Sequence, residues 1–210
     1  MIILMMGPQA CGKGTQGELL SKELNLPIIS VGQLLRDIPE SHPRYQEVQG
    51  QLNSGVLVSY DLTVQIINER LSEKDCKNGY ILDGWGRNID QFEFFDPHPN
   101  WVILINIPRE ESLKRISGRR YCESDGKMYN IYTLPKEELA KCEGPLVQRE
   151  DDTEEAVNER LEIYYRDTQK VIDKYRNEKI LLEINGLGTP QQVFARVLSA
   201  LELAQKISVE

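Results

Sequence analysis

Leu4-Met5-Met6-Gly7-Pro8-Gln9-Ala10-Cys11-Gly12-Lys13-Gly14-Thr15-Gln16 joins an apolar run to a helical pattern through a glycine-bounded loop that carries one lysine. The run Ile2 to Met6 reads as a strand, and Leu19, Leu20 and Leu24 mark one face of the helix that follows. Gly7 and Gly12 can adopt backbone angles that turn the loop N–H groups inward onto an anion, and Lys13 adds a mobile charge for the outer phosphates. The stretch therefore predicts a cradle for a nucleoside triphosphate at a helix N-terminus. Gly14 stands directly after the lysine and the hydroxyl follows one residue later, at Thr15. That spacing leans away from switch GTPases and motor ATPases, in which the hydroxyl adjoins the lysine and holds magnesium.

The chain has 210 residues, enough for one compact domain with small insertions and a large core. Its formal charge of −8 argues against a nucleic-acid polymer as partner, because phosphate backbones reward a broad basic surface. Free nucleotides need only a local cluster of cations. The first six residues lack a basic leader pattern and run straight into the loop, so they read as a buried strand, and no apolar run approaches the roughly 20 residues of a membrane span. Cys11, Cys76, Cys122 and Cys142 are scattered, and one sits in the loop. No disulfide framework is expected from them, and the cytoplasm is the expected location.

Short β-rich runs recur at Ile2 to Met6, Pro27 to Ile29, Tyr80 to Leu82, Val102 to Ile107 and Ile180 to Ile184, with amphipathic helical stretches between most of them. This alternation predicts an α/β fold, and nearly continuous apolar strands predict a parallel sheet covered on both faces. Ligands then bind beyond the carboxyl ends of the strands, where Gly7, Ser30 and Asp83 fall. Two segments break the pattern. Ser30 to about Val58 is helix-like but interrupted by Pro39 and Pro43, with apolar residues too sparse for a core. Arg119 to about Asp152 holds Asp125-Gly126, Pro135 and Gly144-Pro145 and reads as a small irregular insertion. Both are expected to be mobile flaps. A long helix follows, with Val157, Leu161, Tyr164 or Tyr165, Thr168, Ile172 and Tyr175 on one stripe, and a last helix starts near Pro190.

Ile81-Leu82-Asp83-Gly84-Trp85-Gly86-Arg87-Asn88-Ile89-Asp90-Gln91 is the second informative motif. An acidic residue at a strand end can meet magnesium or its water shell, and Arg87 follows, aimed into the same crevice. Taken alone, Asp83 caps a helix and Arg87 is surface charge. With the loop, the pair completes a triphosphate site.

Gly7 to Gln16, Ser30-Val31-Gly32-Gln33-Leu34-Leu35-Arg36, Asp83 to Gln91, Ser117-Gly118-Arg119-Arg120, and Gln148-Arg149-Glu150-Asp151-Asp152 through Arg160 together resemble the adenylate kinase family of nucleoside monophosphate kinases, in order and spacing over essentially the whole chain. The resemblance implies a three-layer phosphate-loop fold on a five-stranded parallel sheet. The core would comprise 1–29, 59–118 and 153–210, the helical monophosphate-binding flap 30–58, and the lid 119–152. It implies reversible phosphoryl transfer from Mg·ATP to AMP, giving two ADP, by a monomer with no membrane or nucleic-acid partner. Lys13, Arg87, Arg119, Arg149, Arg160 and Asp83 match its catalytic set. Ala10, Cys11, Gly12, Lys13, Gly14, Thr15, Arg115, Arg119, Met128, Tyr129 and Gly188 match its ATP site, with Arg115 as the planar cation that stacks on adenine. Val31, Arg36, Val56, Leu57, Val58, Gly84, Trp85, Gly86, Arg87, Gln91, Arg149 and Arg160 match its AMP site, with Gln91 reading the base edge. Each arginine alone also has a structural reading as a helix-end charge or a helix pair.

The chain departs from that pattern at several points. Gln9 and Ala10 replace Pro and Gly of the loop, and a left-handed angle at Ala10 would cost about 1 kcal/mol or more. Val31 replaces a Thr near the acceptor base, as in relatives that use pyrimidine monophosphates. Gly86 replaces a Pro and is expected to loosen the aim of Arg87. Gln33 replaces an acidic residue. Many relatives hold zinc in the lid with two Cys-x-x-Cys knuckles; here Cys122 and Cys142 remain, with Asp125 and Leu139 at the partner positions. Cys122, Asp125 and Cys142 make a poor closed tetrahedral site, so zinc is not expected and magnesium with ATP is the only cofactor.

Three other readings compete. One is a pyrimidine or broad-specificity monophosphate kinase, suggested by Val31. Another is a nucleotide binder with weakened catalysis, suggested by Gln9, Ala10 and Gly86. The third is a GTP switch, suggested by Asp83-x-x-Gly86 but lacking the Asn-Lys-x-Asp motif that reads guanine.

Overall fold

The computed structural model describes residues 1–53, 58–148 and 154–207. Its centre is a parallel sheet of five strands, β1 (Ile2–Met6), β2 (Ile28–Ser30), β3 (Tyr80–Asp83), β4 (Trp101–Asn106) and a last strand at Leu181–Asn185, in the order β2-β3-β1-β4 and then the last strand. The register pairs Ile3 with Ile81 on one side and with Trp101 on the other, so β1 and the loop after it sit in the middle of the sheet. Side chains alternate along each strand. Leu4, Met6, Leu82, Val102 and Leu104 join one buried cluster, and Ile3, Met5, Ile81, Ile103 and Ile105 join another on the opposite face. That two-sided burial is why the strands read as unbroken apolar runs.

The first face is covered by α2 (Val31–Arg36), α3 (Tyr45–Asn53), α4 (Tyr60–Leu71) and the second half of the long helix. Val31, Leu35, Ile38 and Val48 are buried there, Val48 completely. The apolar residues of 30–53, sparse as they are, therefore do build core, because those few join the buried cluster on this face. The second face is covered by α1 (Lys13–Leu24) and the terminal helix at Pro190–Ile207. Helix α1 begins after left-handed Gly12 and ends on left-handed Asn25, a residue that tolerates that angle. Among the described residues no helix is long and apolar enough to cross a membrane.

After α5 (Gln91–Phe94) and α6 (Arg109–Ser117) the chain forms a second, three-stranded sheet from β5 (Arg119–Cys122), β6 (Met128–Asn130) and β7 (Leu146–Val147), with the short α7 (Lys136–Leu139) between β6 and β7. The segment expected to be irregular is thus an antiparallel sheet. The pairing of β5 with β7 sets Tyr121 opposite Val147 and Cys122 opposite Leu146, and Cys122 is joined to Cys142 as a disulfide. This overturns the expectation of unpaired cysteines: residues 20 apart in sequence meet because the strands antiparallel to each other return the chain to its start. Among the described residues of this unit only Cys122 and Tyr129 are buried, so it has almost no apolar core to hold it. Closing a loop of this length stabilises the linked form by about 3 kcal/mol in the chain-entropy picture. Reduction by a dithiol is expected to speed amide exchange of 119–148 by about a hundredfold, leaving the large sheet unchanged. Hydrogen exchange with and without reductant tests this, and identical exchange of 119–148 in the two states would refute it.

The long helix is three pieces: α8 (Glu154–Ile163), a π turn at Tyr164–Thr168, and α9 (Gln169–Asn177). Val157, Leu161, Thr168, Ile172 and Tyr175 are all buried as the stripe requires. The last strand of the large sheet is β8 and the terminal helix is α10.

Candidate active site

Strand β1 delivers Gly7 at the carboxyl edge of the sheet with φ +144°, and Gly12 closes the loop at φ +99°. Lys13 opens α1 and folds back along the loop, its Nζ donating to the Gly7 and Pro8 carbonyls at 2.8 and 3.0 Å. Cys11 is buried with its sulfur 3.6 Å from Lys13 Nζ, while Gly14 and Thr15 face solvent. Ala10 has φ +55°, the left-handed region. Its side chain therefore strains the loop by about 1–2 kcal/mol relative to a residue at ease there.

Strand β3, neighbour of β1, brings Asp83 to the same edge. Burial raises the Asp83 carboxyl above the usual carboxylate range against the pull of Lys13 and Arg87. The guanidinium of Arg87 is pushed below its ordinary value, first by burial and then by the repulsion of Arg160 and Arg36, with Asp83 opposing. Asp83 is half-buried and Arg87 exposed, so solvent reaches both even where protein crowds them. Arginine stays protonated regardless, so the repulsion of Arg87 by Arg160 and Arg36 is retained and favours an anion beside it. The described residues of this cluster span α2, the β3 loop and α8, and only the fold assembles them.

Local contacts set each cation. Arg36 donates to Gln33 Oε1 at 3.0 Å, and Gln33 Nε2 donates to Asp37 at 2.7 Å. Gln33 therefore aims Arg36, an account of the residue that its sequence position did not offer. Helix α8, which carries Arg160, is tied to α6 by Arg109, donating to Glu162 at 2.6 Å and to Asn158 at 2.9 Å. Arg115 donates from Nε to Glu111 at 2.7 Å and from Nη2 to the Gly186 carbonyl at 3.0 Å, with a weaker contact to the Cys11 carbonyl at 3.4 Å. Those in-plane bonds leave the faces of the guanidinium for stacking.

Other matched residues sit differently from a simple lining. The Trp85 indole is buried in the core and donates to the Phe95 carbonyl at 2.9 Å, so residue 85 offers the cleft its main chain only. Strand alternation separates Met128, exposed, from Tyr129, which is buried inside the small sheet with its hydroxyl donating to Asp125 at 2.8 Å. Gln91 is buried, and its Oε1 accepts the Arg87 N–H at 2.7 Å and the Asn88 N–H at 3.4 Å. Val31 and Val58 are buried, Val31 against Gly84. Arg119 opens β5 of the small sheet, and Gly188 lies exposed after β8. Val56, Leu57 and Arg149 lie outside the described residues.

Gly86 has φ +76°, an angle proline cannot reach, so the residue that replaces the expected Pro belongs to a different loop path. The anticipated looseness is countered by two clamps on Arg87: the Gln91 amide on its N–H, and Thr168 Oγ1 donating to its carbonyl at 2.8 Å. Thr168 was legible in sequence only as one member of an apolar stripe.

For a divalent cation the donors fit: Asp83 offers a carboxylate whose burial outweighs the pull of Lys13 and Arg87, and Thr15 offers an exposed hydroxyl two residues after the loop's lysine. Zinc has no such match, because the sulfurs of Cys122 and Cys142 bond to each other and Asp125 accepts from Tyr129 and from the Lys127 N–H.

A strand, phosphate cradle and helix at the centre of a parallel sheet, with arginines converging from three further elements, define a phosphate-loop nucleotide-binding protein built for phosphoryl chemistry. The adenylate kinase family profile matches residues 5–180. Proteins named adenylate kinase from Clostridium tetani and Clostridium acetobutylicum are 39% and 36% identical, each across 96% of this chain and 98% and 99% of their own lengths. The chain belongs to the adenylate kinase family and is a phosphotransferase. This displaces the GTP-switch reading of Asp83-x-x-Gly86.

Proposed function

We infer that the protein catalyses reversible, magnesium-dependent phosphoryl transfer from ATP to AMP, yielding two ADP. The observation that carries this is the convergence of Arg36 and Arg160 on Arg87, beside Asp83 and Lys13 at one end of the sheet. A site that binds a nucleotide without reacting has no use for cations on both sides of the transferring group.

Lys13 and the N–H groups at the start of α1 hold the triphosphate, and Arg36 and Arg87 grip the acceptor phosphate. An oxygen of that phosphate attacks the γ-phosphorus in line; the bond to the bridging oxygen breaks, and that oxygen leaves on ADP. No proton transfer is needed, because the nucleophile is already an anion. Arg160, with Arg119 and Arg149 from the lid, neutralises charge on the migrating group. Magnesium, when bound beside Asp83 and Thr15, supplies further neutralisation of the triphosphate oxygens. Closure of the flap 30–58 and the lid 119–152 excludes water, a gating step that adenylate kinases themselves exemplify. In this reading the chain acts as a cytoplasmic monomer on free nucleotides, in keeping with a charge of −8 that no nucleic-acid polymer would favour.

Adenine selectivity rests on Gln91. Two backbone N–H groups can be met only by the amide oxygen, so its Nε2 donor is what remains for a base, and it suits a ring-nitrogen acceptor, which guanine and uracil do not present at that edge, with the size of the base left to separate adenine from cytosine. A pyrimidine reading is favoured by Val31, whose buried side chain brings no hydroxyl to the base. Initial rates with Mg·ATP and AMP, CMP, UMP or GMP separate the two. We expect AMP to exceed the others by about 10² or more in kcat/KM. Preference for CMP or UMP would transfer the assignment to a pyrimidine kinase, and binding without turnover would reduce it to a nucleotide binder.

A further inference from the structure

We propose that Thr168 is a positioning residue for acceptor binding, acting from the π turn through the main chain of Arg87; this rests on the reading of Arg87 as a grip on the acceptor phosphate. A buried threonine within a helix ordinarily returns its hydroxyl to its own helix, at the carbonyl three or four residues back. Thr168 is 4% exposed and instead donates at 2.8 Å to the Arg87 carbonyl, 81 residues away. The π turn at Tyr164–Thr168 is the local irregularity that accompanies this redirection.

The receiving segment needs such a tie. Arg87 follows Gly84 at φ +90° and Gly86 at φ +76°, two residues without side chains to restrict the path. Its N–H is held by Gln91 from α5 and its carbonyl by Thr168 from the end of the π turn. The two clamps come from different elements and meet on one residue, so the direction of the guanidinium is set by α5 and the long helix together. That helix also carries Arg160 about one turn before the π turn, so the same long helix bears one phosphate cation and aims another. A proline at 86 would restrict this segment covalently; in this chain a hydrogen bond does the work.

The test is steady-state kinetics of Thr168→Val, which keeps the shape and removes the hydroxyl, and of Thr168→Ser, which keeps the hydroxyl. We expect Thr168→Val to raise KM for AMP about tenfold with KM for ATP within about twofold of the parent, and Thr168→Ser to lie close to the parent. In an Arg87→Ala background the Thr168→Val effect on KM for AMP should disappear, since there is no guanidinium left to aim. Equal changes in both KM values, an undiminished effect without Arg87, or failure of serine to rescue would each assign Thr168 a purely structural role and overturn the proposal. Wild-type protein that did not use AMP at all would instead sink the reading of the site, so the two failures are distinguishable.

Discussion

Arg87→Ala is expected to lower kcat for transfer to AMP by about 10³ or more while leaving the folded state intact, the scale seen when an arginine at a transferring phosphoryl group is removed. The side chain faces the cleft, and the bonds that hold this loop, to Gln91 and from Thr168, use main-chain atoms that alanine keeps. Removing the guanidinium also relieves its repulsion with Arg36 and Arg160 and costs its attraction to Asp83, opposite effects on stability. The melting temperature should therefore move by only about 2 °C. Arg87→Lys should recover part of the rate, because a point charge replaces a fork that can bind two oxygens at once. Initial rates and a thermal melt on the same preparations decide the matter. A variant that kept a tenth of the parent rate would remove Arg87 from the reacting centre.

Gly7→Ala should act through the fold, and strongly. A Cβ at this position would lie 2.4 Å from the Ile105 carbonyl oxygen and 2.7 Å from Cys11 Sγ, on a residue whose φ is +144°. The carbonyl belongs to β4, whose register with β1 is set by Met5 opposite Ile103 and Met6 opposite Leu104, so it has nowhere to retreat without unpairing the centre of the sheet. Strain and overlap together should destabilise by about 4 kcal/mol, a fall of about 10 °C in melting temperature for a chain of this size. Gly14→Ala is the control: nothing lies within 4 Å of its added carbon, and α1 already encloses the residue. A Gly7→Ala protein that melted with the parent would show that the strand and loop can shift together, contrary to the packing described here.

The strands and their covering helices were legible because burial on both faces leaves unbroken apolar runs such as Ile2 to Met6 and Val102 to Ile107, a pattern visible one segment at a time. The phosphate cradle was legible for the same reason: its chemistry lies within ten residues. Features that depend on distant contacts were not. Cys122 and Cys142 look unrelated until β5 and β7 pair. Gln33 looks like a lost carboxylate until its amide is seen to bridge Arg36 and Asp37. Thr168 reads as a stripe residue because no local pattern announces a π turn or a carbonyl arriving from Arg87. Ala10 was judged by its type, and its left-handed angle is set by the geometry of the whole loop.

Lys13 lies along its own loop, donating to the Gly7 and Pro8 carbonyls. An incoming anion must draw the ammonium away from those two acceptors, so its arrival is an exchange of partners and not a simple addition. A small, weakly charged anion gains little from the exchange, whereas a triphosphate offers several oxygens to the lysine and, at the same moment, others to the N–H groups that open α1. The lysine thus acts as an internal competitor, setting a threshold of charge that a ligand must exceed before the loop will take it.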